Sequence, residues 1–154
     1  MKGPWTLSFQ SDALHRGPAA PVTVPELFDL STSATPGIRH YSGKTVYAAE
    51  FELPDTEPGA RHVLDLGDVA VTAKVKVNGA PAGGVCFAPY RLDVSKFVKP
   101  GRNKLEVEVC DLWVNRLIGD DGDPARPTWT SKPCWRKNSK LCKAGLLGPV
   151  RIER

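Results

Sequence analysis

Residues 71–79 read Val71-Thr72-Ala73-Lys74-Val75-Lys76-Val77-Asn78-Gly79. Val71, Ala73, Val75 and Val77 alternate with Thr72, Lys74 and Lys76, the period-two pattern of a strand with one face in a core and the other in water. Asn78-Gly79 then supplies the pair that best tolerates positive φ at both central positions of a type I′ turn, so a β-hairpin is expected. The alternation returns after the Pro100-Gly101 turn, with Leu105, Val107 and Val109 on one side and Lys104, Glu106 and Glu108 on the other. Tyr47, Ala49, Phe51 and Leu53, ahead of Pro54, make a third inward-facing set. Trp5, Leu7 and Phe9, the pair Val150 and Ile152, and residues 61–66 and 91–94 are shorter strand candidates. Residues 95–98 read as one helical turn capped by Ser95.

No segment sustains a helical period, and short strands without crossover helices pair antiparallel. Two sheets packed face to face bury both apolar faces, so the predicted fold is an all-β antiparallel sandwich of the jelly-roll kind. The chain has 154 residues, 41% of them hydrophobic, which suits a single domain over residues 1–154. No apolar run approaches the roughly 20 residues that cross a bilayer, and no membrane partner is expected. The start, Met1-Lys2-Gly3-Pro4-Trp5, has no apolar segment of a signal peptide, so the chain is read as cytoplasmic or as a piece of something larger.

Two stretches lack alternation. Residues 10–40, with Gly17-Pro18, Pro21, Pro25 and Pro36-Gly37, read as an extended segment laid over the sandwich. Residues 111–148 are long for a structureless connection, and such loops are commonly functional. They hold Trp113, Trp129 and Trp135, three of the four tryptophans; Trp5, which alternates with Leu7 and Phe9, is assigned to the core.

The chemistry legible here is sparse. There is no G-x-S-x-G elbow, H-E-x-x-H pair or phosphate-binding glycine loop, and His15, His40 and His62 are scattered, His62 reading as structural or surface. Cys86, Cys110, Cys134 and Cys142 have no zinc-ligand spacing; two disulfides, most simply including Cys134 with Cys142, and ordinary buried thiols are both open. Paired carboxylates for glycoside hydrolysis could come from Asp65 with Asp68 or Asp120 with Asp123, although Asp65 and Asp68 flank Gly67 and read as turn formers. The run Asp120-Asp121-Gly122-Asp123 lacks EF-hand order and reads as a solvated acidic turn, with a structural calcium ion as its other reading; no further metal or cofactor is expected. Arg126, Lys132, Arg136, Lys137, Lys140 and Lys143 interleave with Trp129 and Trp135 as in single-strand nucleic-acid binders, but a net charge of only +4 argues against such a partner. A sugar suits the same aromatics: its C–H face packs on an indole and its hydroxyls need paired donors and acceptors. The candidate carbohydrate platform is Trp113, Asn115, Arg116, Trp129 and Trp135, joined by Tyr41 and Tyr90.

Specific strings then carry a resemblance. Tyr41-Ser42-Gly43-Lys44-Thr45-Val46-Tyr47, Leu64-Asp65-Leu66-Gly67-Asp68-Val69 and Val75-Lys76-Val77-Asn78-Gly79 resemble the sugar-binding domain of the glycoside hydrolase family 2 type, a galactose-binding-domain-like jelly roll. Pro89-Tyr90-Arg91-Leu92-Asp93-Val94, Gly101-Arg102-Asn103-Lys104-Leu105, Leu112-Trp113-Val114-Asn115-Arg116 and Gly145-Leu146-Leu147-Gly148-Pro149-Val150 look like its version in accessory domains of bacterial α-L-rhamnosidase-like enzymes. The resemblance covers residues 5–9 and most of the chain from about residue 38. It implies a non-catalytic module of a secreted or periplasmic polysaccharide-degrading enzyme, with plant cell-wall polysaccharide or oligosaccharide and the parent's catalytic domain as partners. The alternative is a structural domain that packs on a catalytic barrel and binds no sugar itself. A small stand-alone glycosidase would need two facing carboxylates in a cleft.

Overall fold

The computed structural model describes residues 1, 3–54, 59–131 and 134–154; Lys132 of the basic loop lies outside them. Among the described residues eleven strands run in chain order: β1 Trp5–Phe9, β2 Val22–Val24, β3 Lys44–Leu53, β4 Val63–Asp65, β5 Asp68–Val69, β6 Thr72–Val77, β7 Ala80–Val85, β8 Arg91–Asp93, β9 Gly101–Cys110, β10 Leu146–Gly148 and β11 Arg151–Glu153. Two helices join them, α1 Pro36–Arg39 and α2 Val114–Asp120, with a 3₁₀ turn at Leu30–Thr32. The strands form a six-stranded antiparallel sheet in the order β2-β1-β3-β9-β6-β7, a three-stranded sheet β11-β4-β8 and a pair β10-β5.

Register explains why the pattern succeeds. Leu7 lies opposite Tyr47, Tyr47 opposite Val107 and Val107 opposite Val75, while Ala49, Leu105 and Val77 form the next row. All seven side chains are buried, and Leu64, Leu66, Val69, Leu146 and Val150 from the smaller sheets close the same core from the other side. A one-residue slip would send every one of them to water, which fixes the pairing. The outer face of the large sheet sets Lys74 opposite Glu108 and Lys76 opposite Glu106, so opposite charges meet across the strands. This is the β-sandwich read from the sequence. The Asn78-Gly79 turn has φ of 52° and 82°, as a type I′ turn requires.

Details depart from expectation. The turn at residues 95–97 is capped by Asp93, whose Oδ1 accepts from the Ser95 N–H at 3.0 Å and hydroxyl at 2.6 Å; Ser95 Oγ instead accepts from the His62 N–H at 2.8 Å. His62 is buried, as the structural reading of it had it. The cysteines are neither bridged nor buried, since all four are free, exposed thiols. Residues 10–40 do lie along the sandwich, but they contribute β2, which pairs with β1, and an Asp29 carboxylate that accepts from the Ser31 and Ala144 N–H groups at 3.0 Å. Among the described residues no helix is long and apolar enough to cross a membrane.

Asp111, at the end of β9, is the buried titratable group with the clearest consequence. Its Oδ1 accepts from the Gly145 N–H at 2.8 Å, and burial first, then the nearby Asp29 charge, raises its pKa to about 6. A carboxyl whose folded pKa lies above its unfolded value takes up a proton on folding, so its contribution to stability falls as pH rises from about 4 to about 6. A shift of about 2 units corresponds to a span on the order of 3 kcal/mol. Asp111→Asn keeps the acceptor for Gly145. Denaturant unfolding of the two proteins at pH 4.5, 6 and 7.5 is expected to give a wild-type-minus-variant difference that changes across this window, and a difference flat with pH would refute the assignment.

Candidate functional site

The helix that the sequence hid organises the site. In α2 the buried positions include Asn115, Arg116 and Asp120, with Ile118 the one apolar residue among them, whereas Trp113 and Leu117 look outward one turn apart. The usual polarity of a surface helix is reversed, and its polar face is held by a network. Arg116 Nη2 donates to Asp120 Oδ1 at 2.6 Å, Thr128 Oγ1 donates to Asp120 Oδ2 at 2.6 Å, and Arg16 Nη1 reaches Asp120 at 3.4 Å and Asp123 at 2.9 Å. Arg16 Nη2 also donates to the Ala125 carbonyl at 2.9 Å. Arg16 sits at φ 55°, a conformation that costs a non-glycine residue on the order of 1 kcal/mol and that these bonds hold in place. The acidic turn is solvated only in part: Asp120 is 1% exposed, and the carboxylates of Asp120, Asp121 and Asp123 are engaged by the guanidinium groups of Arg16, Arg116 and Arg136.

The network fixes the walls of an apolar groove of about 350 Å3, lined by Leu14, Trp113, Leu117, Pro127, Thr128 and Trp129, with Thr130 at its edge. Thr128, anchored to Asp120, places its neighbour Trp129, which is 74% exposed; Trp113 is 40% exposed. The opposite wall comes from the loop that Arg16 ties down, where Leu14 is exposed and the His15 imidazole lies 5.3 Å from the Trp113 ring. His15 Nδ1 in turn contacts Asp12 at 2.7 Å, and that bonding, backbone N–H first, holds the Asp12 carboxyl below its usual range.

Of the residues proposed for the platform, the structure brings two together. Trp113 and Trp129 share the groove. Trp135 is half-buried and outside the lining, and Tyr90 packs partly against the core. Tyr41 is corrected: its ring is fully buried edge-on to Phe9, with centroids 5.0 Å apart. Its hydroxyl accepts from the Gln10 N–H and donates to the Lys44 carbonyl, and burial pushes its pKa up to about 12. Asn115 is also buried; its amide donates to the Cys142 carbonyl and accepts from the Cys142 N–H, both at 2.8 Å, clamping a distant backbone. Arg116 is spent on Asp120. None of these three presents a surface to a ligand. Asp65 does what its turn required, accepting from the Gly67 N–H at 2.8 Å.

A six-stranded antiparallel sheet closed by smaller sheets, carrying an aromatic groove on its long connection, defines a β-sandwich domain of the jelly-roll class. The chain belongs to the glycosyl hydrolase 2 galactose-binding domain-like family, whose profile matches residues 37–139. It is similar to a rhamnosidase from Novosphingobium sp. PP1Y, at 41% identity and a TM-score of 0.90 over 99% of this chain and 14% of that one. A Formosa agariphila protein named "Putative beta-glucuronidase" is 37% identical over 99% of this chain and 15% of its own length. A Ruminococcus gnavus β-glucuronidase shares the fold, with a TM-score of 0.60 at 23% identity over 72% of this chain and 20% of that one. This chain therefore spans only a small part of each of these proteins, all of them named as glycoside hydrolases.

Proposed function

We propose that this domain is a non-catalytic carbohydrate-binding module of a polysaccharide-degrading glycoside hydrolase, and that it holds a plant cell-wall glycan in the Trp113–Trp129 groove. The carrying observation is the exposure of two indoles, 40% and 74%, over one apolar hollow that a buried polar network keeps in shape. Large apolar rings left in water favour association, and an indole face suits the C–H face of a sugar. As part of a secreted or periplasmic parent, the module would keep the catalytic domain near its substrate.

Affinity electrophoresis of the 154-residue chain through gels containing soluble polysaccharides, plant cell-wall glycans first, tests this. At least one glycan should retard the protein, and Trp113→Ala and Trp129→Ala should each weaken retention about 5-fold or more, as loss of a stacking ring of about 1–3 kcal/mol implies. Trp135→Ala should change it little. Retention by no glycan would instead favour a structural domain whose groove seats on the catalytic domain, and retention unaffected by either tryptophan variant would place the sugar elsewhere.

A further inference from the structure

Ile118 and Gly119 of α2 border a second hollow, of about 330 Å3, whose character is opposite to the first. Its rim carries Arg39, from the end of α1, and Lys137, both exposed, with Asn138 and Ser139 between. Among the described residues neither the Arg39 guanidinium nor the Lys137 ammonium is ion-paired. The adjacent carboxylate, Asp121, is engaged by Arg136 at 3.8 Å and by the Lys137 backbone N–H at 2.9 Å. On the outer face of the large sheet, by contrast, Lys74 and Lys76 each have a glutamate directly opposite in register, whereas among the described residues no carboxylate lines this hollow.

His40 forms the inner wall, and the chain is built to bring it against α2. A Cβ on Gly119 would lie 2.6 Å from His40 Cβ and 2.9 Å from Arg116 Nη2, so only glycine admits this approach. His40 stays neutral at neutral pH because burial, then the Arg116 and Arg39 charges, lowers its pKa. Arg116 has its own counter-ion in Asp120, which leaves Arg39 and Lys137 as the cations lining the hollow. A pocket with fixed positive charge, free donors and a volume within the range of small-molecule sites is suited to an anion carried on a polar ring.

We infer that this hollow binds the anionic group of an acidic sugar, a uronate carboxylate or a sulfate ester, through Arg39 and Lys137, with Asn138 and Ser139 meeting ring hydroxyls. The inference deepens the glycan reading by naming a substrate class, and it uses a surface separate from the tryptophans. The net charge of +4 assists the approach of a polyanion.

Isothermal titration at low salt with an oligogalacturonate, its methyl ester, dextran sulfate and dextran separates the outcomes. An acidic ligand is expected to bind about 10-fold or more tightly than its uncharged counterpart, as charge-assisted bonds imply. Preference for the oligogalacturonate alone identifies a carboxylate site, and preference for dextran sulfate alone a sulfate site. Arg39→Ala and Lys137→Ala, both at exposed positions, should each remove most of that preference. Lys96→Ala, which deletes an exposed charge elsewhere, should not. Equal binding of charged and uncharged ligands, or equal losses in Lys96→Ala, would overturn the inference. If the acid binds through Arg39 and Lys137 while no neutral glycan is retained, the tryptophan groove reading fails and this one stands. If neutral glycans are retained through Trp129 and charge adds nothing, only this one fails.

Discussion

Replacing Asp120 with alanine is expected to lower the unfolding free energy by about 3–5 kcal/mol, the usual cost of removing one partner from a buried ion pair. The carboxylate is 1% exposed and serves Arg116, Arg16 and Thr128 together. Without it, the Arg116 guanidinium, itself 6% exposed, has lost its carboxylate, and the Thr128 hydroxyl has no acceptor. Arg16 keeps Asp123, which limits the loss on that side. Urea denaturation measures the effect. Asp120→Asn, which retains acceptor capacity, should cost less, and the double change Arg116→Met with Asp120→Leu should cost much less than the sum of the single losses, because matched apolar groups need no counter-charge. A loss under about 1 kcal/mol in Asp120→Ala would show that the network does not hold α2. The same variant should weaken glycan retention, since Thr128 is the anchor of Trp129.

Gly145→Ala is expected to destabilise by about 2–5 kcal/mol, combining left-handed backbone strain with overpacking. Gly145 sits at φ +89°, and an added Cβ would collide with the Tyr47 hydroxyl and lie 2.9 Å from Leu30 Cγ. Tyr47 belongs to β3 at the centre of the large sheet and cannot retreat, because its ring is 1% exposed. The backbone there is committed as well: the Gly145 N–H donates to Asp111 at 2.8 Å and its carbonyl accepts from the Ala70 N–H at 3.0 Å. Thermal and urea unfolding check the expectation. Near-wild-type stability would mean that the β9 end and the β10 entry are packed far more loosely than these distances imply.

The core was legible because its signal is local. Ala73, Val75 and Val77, like Leu105, Val107 and Val109, alternate with charged or polar neighbours, and the pleat converts that alternation directly into burial. The hairpin at Asn78-Gly79 was legible for a similar reason, as positive φ selects a narrow set of residues. The site was not. α2 buries Asn115, Arg116 and Asp120 and turns Trp113 and Leu117 outward, so a search for apolar period finds nothing to follow. One of its partners, Arg16, lies over one hundred positions from Asp120 and no local pattern announces it, while the local Arg116–Asp120 pair is recognisable only once a helix is known. The spacing of Trp113 and Leu117, one helical turn apart, was the available clue to the groove, but it has meaning only once a helix is known.

The sequence alone determined a β-sandwich with its inward faces and sharpest turn, and the strings that tie it to the glycosyl hydrolase 2 galactose-binding domain-like family, because strand burial and turn chemistry are written in neighbouring residues. Tertiary structure alone decided that Tyr41, Asn115 and Arg116 are buried supports while Trp113 and Trp129 face one groove, and that Arg39 and Lys137 rim another. Exposure of a side chain depends on what packs above it, and here that covering is a polar network joining segments remote in sequence.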